Sequence, residues 1–96
     1  MANLIDTYNA LVPTMNKLAK EGYDLWPFHD GWSGFGFKVI MDKTWIEVRI
    51  YESDEISAYL YKRNGNVFDS ISNKLLKSEN TSDTKDVYTI IKRLVA

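Results

Sequence analysis

Catalysis needs nucleophiles, acids, bases or metal ligands within reach of one another, and this chain holds few of them. Its one histidine, His29, is followed directly by Asp30, and a histidine oriented by a carboxylate can serve as a general base. Residues adjacent in sequence rarely adopt that geometry, and no serine or threonine sits in a recognisable nucleophile elbow. The absence of cysteine removes thiol nucleophiles, disulfides and thiolate-held metals. One histidine and scattered carboxylates also lack the ligand spacing of zinc or calcium sites. The expectation is therefore no catalytic set, no metal and no cofactor, with a small enzyme built on His29 as the third-ranked reading.

The segment Gly31-Trp32-Ser33-Gly34-Phe35-Gly36-Phe37 invites a phosphate-cradle reading. It fails that test because it leads into a strand pattern and lacks the Lys-Ser/Thr pair of a P-loop. Within it, Gly34-Phe35-Gly36-Phe37-Lys38-Val39 resembles the RNP1 strand of RNA recognition motifs, in which alternate aromatics stack on bases. The resemblance covers those six residues. It departs from the motif at Ser33, where that family has a base, and at Lys38, where it has an apolar residue. That family also begins with a strand, whereas this chain opens on a helical pattern. The register derived below turns Phe35 and Phe37 toward the core, so the core-strand reading is preferred.

The remaining residues with chemical character are aromatic and basic: Trp45, Arg49, Tyr51, Tyr59, Tyr61 and Arg63, with Trp32 and His29 nearby. Large rigid rings with polar tips, accompanied by arginine, have the composition of protein-binding hot spots. They can act together only if one face of a sheet carries them.

The elements that would place them there are legible from periodicity. Leu4, Tyr8, Leu11, Val12, Met15, Leu18 and Ala19 recur at three- and four-residue steps, predicting a helix from Asn3 to Glu21 that stops at Gly22 and is kinked at Pro13. From Tyr23 the period becomes two. Pro27 predicts an edge strand running into a loop around Trp26 to Trp32. A turn at Asp42-Lys43 sets Val39 opposite Ile46, Phe37 opposite Val48, Phe35 opposite Ile50 and Lys38 opposite Glu47. An odd loop centred on Ser53 sets Ile50 opposite Ile56, Trp45 opposite Tyr61 and Glu47 opposite Tyr59.

Asn64-Gly65 predicts a further hairpin with a returning strand from Asn66 to Ile71, although Val67, Phe68, Ile71 and Leu75 also fit a short helix. The polar run from Lys77 to Ser82 predicts a flexible loop. Val87, Ile90, Ile91, Leu94 and Val95 predict a closing helix capped by Ser82 or Asp83. The expected fold is a single domain over residues 1–96, α+β and two-layered. It has an antiparallel meander of four to five strands with the N-terminal and C-terminal helices on one face. Lys38, Ile40, Trp45, Glu47, Arg49, Tyr51, Tyr59 and Tyr61, with Phe68 a further candidate, then project from the other face.

Composition narrows the function. A chain of 96 residues can bury roughly 60–70% of its unfolded surface, enough for one modest core. Thirteen acids against twelve bases give no global pull toward polyphosphate or anionic lipid. With no run of about 18 apolar residues and no signal-peptide pattern, a cytoplasmic protein without membrane association is expected. The first reading is a non-enzymatic protein-binding module that occupies a partner's surface. Small inhibitors, immunity-type proteins and phage-encoded antagonists of host machinery share this general form. The second is a single-stranded nucleic-acid-binding domain, stacking bases on Tyr59, Tyr61 and Trp45 with Lys38, Arg49 and Arg63 on phosphates. An open strand edge or an uncovered aromatic face would also admit a homodimer.

Overall fold

The computed structural model describes residues 4–30, 34–51, 53, 55–64 and 73–96, without the side chains of Leu4, His29 and Asp30. Its elements run α1 (Leu4–Lys20), β1 (Asp24–Asp30), β2 (Gly34–Ile40), β3 (Thr44–Ile50), β4 (Ile56–Lys62), β5 (Lys74–Thr81), a short 3-10 turn (Thr84–Asp86) and α2 (Val87–Val95). The five strands form one antiparallel sheet in sequence order. It is an α+β meander with a helix at each end.

The helix ends follow from local chemistry. Gly22 takes a left-handed φ of 97°, which costs glycine nothing. The amide of Tyr23 then donates to the Leu18 carbonyl at 3.2 Å, and that of Gly22 donates to Ala19 at 3.1 Å, closing a Schellman motif. α1 continues through Pro13, which lies on its exposed side and has no N–H to donate within the helix. At the other end the Asp83 carboxylate accepts from the Lys85 amide at 2.9 Å, capping the turn that leads into α2.

The expected registers hold. Phe37 pairs with Val48, Val39 with Ile46 and Lys38 with Glu47, and the Met41 amide donates to Thr44 at 3.0 Å across the Asp42-Lys43 turn. Ile50 pairs with Ile56, Trp45 with Tyr61 and Glu47 with Tyr59. Because side chains alternate, this brings Phe37, Val39, Ile46, Val48, Ile50, Ile56, Ala58 and Leu60 to one face. There they form a single core with Leu11, Met15 and Leu18 of α1 and Val87, Ile90, Ile91 and Leu94 of α2. Phe35 packs against that core, its ring centroid 6.1 Å from that of Tyr8. This is why the RNP1-like strand offers no stacking platform. Ala19, placed on the inner face of α1 by its spacing, is exposed although the neighbouring Leu18 is fully buried.

The polar run from Lys77 to Ser82, expected to be a flexible loop, instead falls largely within the edge strand β5. Pairing with β4 specifies it, aided by the Ser57 hydroxyl donating to the Asn80 side chain at 3.0 Å. Most of its side chains are exposed and none is buried, so no apolar alternation marks it. Lys62 pairs with Lys74, so the strand that returns against β4 is β5. The expected strand or helix over 66–71, and Phe68 with it, lies outside the described residues.

Candidate partner-binding face

The face opposite the helices reads across the five strands in rows. One runs Asp24, Ile40, Trp45, Tyr61, Leu75; the next Trp26, Lys38, Glu47, Tyr59, Ser78; a third Phe28, Gly36, Arg49, Ser57, Asn80. Of the expected residues, Trp45, Arg49, Tyr59 and Tyr61 therefore share a face, but they do not share exposure.

Trp45, expected as an outward contact, is 0% exposed. Tyr61 stacks on its ring with centroids 4.5 Å apart, and the Lys38 ammonium stands 4.8 Å from its centre. Alternation specifies which face a residue occupies, not whether neighbouring long side chains lie across it. The indole Nε1 of Trp45 is buried with no hydrogen-bond partner among the described residues.

Beside it sits an ion triad of Lys38, Glu47 and Arg49, the first two of them buried. The Glu47 carboxylate is 3.9 Å from the Lys38 ammonium and accepts from Arg49 Nε at 3.2 Å. Lys38 and Glu47 are each only 7% exposed, so solvent screens this cluster little and each charge depends on the others. Phe28 completes the cover. Its ring lies 5.1 Å from the Arg49 guanidinium and 6.0 Å from the Lys38 ammonium, over Gly36. A Cβ on Gly36 would stand 2.6 Å from that ring and 2.0 Å from the Val48 carbonyl oxygen. Glycine is thus required there for close approach rather than for an unusual backbone angle.

Tyr51 and Tyr59 are half-buried and join hydroxyl to hydroxyl at 2.8 Å. Burial, and then the hydrogen bond with Tyr59, push the Tyr51 phenol up to about 12, so Tyr51 stays protonated and uncharged near neutral pH. Arg63 does not belong to the face. Its guanidinium donates to the Met41 carbonyl at 2.9 Å and its amide to the Lys43 carbonyl at 2.9 Å, so it braces the β2–β3 turn. His29 lies in the edge strand opposite Phe35 rather than in a loop, with its side chain outside the described part. Trp32 lies outside it entirely.

Sequence reasoning missed Trp26 and Phe28 as members of the face. Trp26 is 42% exposed, with its indole N–H held by Asp24 at 3.0 Å. The available signal was their spacing of two on a Pro-marked edge strand, with Gly36 across from Phe28. What remains accessible is a rim of Trp26, Phe28, Arg49, Tyr51, Tyr59 and Tyr61 around a closed charged centre.

Among the described residues no group of three or more histidine or acidic side chains could hold a metal ion, and no helix is long and apolar enough to cross a membrane. Comparison with known protein families, curated proteins and solved structures finds no match for the chain.

Proposed function

We propose that this chain is a non-enzymatic protein-binding module that acts by occupying a partner's surface with the sheet face opposite its helices, in the manner of small inhibitors and antagonists. The observation that carries this reading is the aromatic rim of Trp26, Tyr51, Tyr59 and Tyr61 held rigid around internally paired charges. Rings already fixed by stacking or hydrogen bonding lose little entropy when a partner covers them. The same pairing weighs against nucleic acid. Lys38 and Arg49 are engaged by Glu47, Arg63 is engaged by a backbone carbonyl, and Trp45 offers no ring face to a base.

Site-specific photocrosslinking tests the reading. A photoreactive phenylalanine analogue at Tyr59 or Trp26 should capture a discrete protein in native lysate, with capture competed away by unmodified chain, whereas the same probe at exposed Thr89 on α2 should not. Equal capture from both faces, or none from either, overturns it. Tight, steeply salt-dependent binding of a single-stranded oligonucleotide in a low-salt anisotropy titration would favour the nucleic-acid reading instead.

A further inference from the structure

Among the described residues the sheet has two open edges, β1 and β5, and their sequences treat strand addition differently. β1 carries Pro27 at its centre, which has no N–H to offer a further strand. β5 contains no proline. The register shifts by one residue opposite Leu60 and Tyr61, leaving Leu76 as an extra residue on β5, so the irregularity is confined to its start and Lys77 to Thr81 pair regularly. Leu75 and Leu76, at that end, are 49% and 44% exposed.

The charges on β5 select one register for pairing with itself. Lys77 and Glu79 flank Ser78 and lie on the same side of the sheet, opposite Leu60 and Ala58. A two-fold axis perpendicular to the sheet beside Ser78 sets the two copies of Ser78 opposite each other and brings Lys77 against Glu79 of the second copy, twice. Moving the axis one residue either way sets Lys77 against Lys77 or Glu79 against Glu79, which repel. Glu79 already accepts from Arg93 Nε at 2.9 Å, and a carboxylate has lone pairs for a second cation.

We propose that β5 is a homodimerisation edge, pairing antiparallel with β5 of a second copy of this chain in the register centred on Ser78. The axis keeps both outer faces on the same side of a continuous ten-stranded sheet, so the dimer carries two aromatic faces side by side. Its total accessible surface of 5781 Å² matches the roughly 5,700 Å² of a compact monomer of this mass. The second copy is therefore not needed to complete the fold.

The absence of cysteine makes the test clean. In a Ser78→Cys variant the two thiols face each other across the axis, at the ~4.5–5.5 Å Cα separation of opposed antiparallel residues, within disulfide reach. With oxidised glutathione as oxidant, each interchain disulfide formed releases two glutathione thiols. The Ser78→Cys chain should form covalent dimer at least about tenfold faster than a Ser53→Cys control in the exposed β3–β4 turn. Adding Lys77→Glu should slow crosslinking severalfold by opposing two acids, and adding Glu79→Lys to that variant should restore it. Crosslinking no faster than the control, or unaffected by Lys77→Glu, overturns the proposal. Neither readout depends on any other partner.

Discussion

On the helix-covered side of the sheet, Val39, Ile46 and Leu60 form one apolar row, Phe37, Val48 and Ala58 the next, and two amphipathic helices seal both. On the opposite side the corresponding rows are Trp45 with Tyr61 and Lys38 with Glu47 and Tyr59. Here Trp45, Lys38 and Glu47 are also buried, although both helices pack on the other face. The first face is closed by another layer. The second is closed in large part by its own side chains, with rings stacked on rings, a lysine stem across an indole, and an arginine and a lysine sharing one carboxylate. Apolar burial on the first face is non-directional and tolerates rearrangement, whereas the second depends on particular pairs and fails when one member is removed.

Substitutions on each side sharpen that contrast. The largest loss is expected for Phe37→Ala in the helix-covered core, about 3–5 kcal/mol by urea unfolding; a loss under about 1 kcal/mol would mean that this face is not the main core. Glu47→Leu should cost about 3 kcal/mol, because the buried Lys38 ammonium and the half-buried Arg49 guanidinium lose the Glu47 carboxylate. The double change Lys38→Met with Glu47→Leu should recover part of that loss, since the pair itself contributes little beyond an apolar replacement. Equal destabilisation by the single and the double variant would break the account of the triad. Tyr61→Ala should cost about 1–2 kcal/mol through lost stacking and shift Trp45 emission to the red as water reaches its ring.

The smallest effect lies on the helix layer's exposed rim. Glu21 accepts from the Tyr88 hydroxyl and from the Lys92 ammonium at 3.1 Å, tying the end of α1 to α2. The Tyr88 hydrogen bond, and then that of Lys92, hold the Glu21 carboxyl below its usual value of 4.5. A lowered acid contributes stability that is present above its unfolded pKa and lost as pH falls through its folded one. The small Tm difference between wild type and Tyr88→Phe should accordingly be constant near neutrality and vanish in acid. A difference that grew on acidification would contradict the assignment.

The helix-covered face was largely legible in the sequence because its signal is periodic. Two tight connections and the alternation of Phe37, Val39, Ile46, Val48 and Leu60 specify a register that one residue of slip would destroy. β5 was not legible, since Lys74 to Thr81 buries little and takes its strand conformation from the free edge of β4. The candidate site was half legible. Alternation assigned Trp45, Arg49, Tyr59 and Tyr61 to one face correctly, but it carries no information on which side chains lie across others. Trp45 was therefore expected outside and is sealed, whereas Trp26, whose strand was read only as an edge, supplies the exposed indole.

Single-tryptophan variants test this directly. One chain keeps Trp45 (Trp26→Phe, Trp32→Phe) and another keeps Trp26 (Trp32→Phe, Trp45→Phe), each titrated with acrylamide while its fluorescence is followed. Trp45 should emit in the blue and resist quenching until the chain unfolds, while Trp26 should be quenched readily in the folded state. Equal quenching of the two in the folded protein would show that the outer face is open, and would contradict its closure by its own side chains.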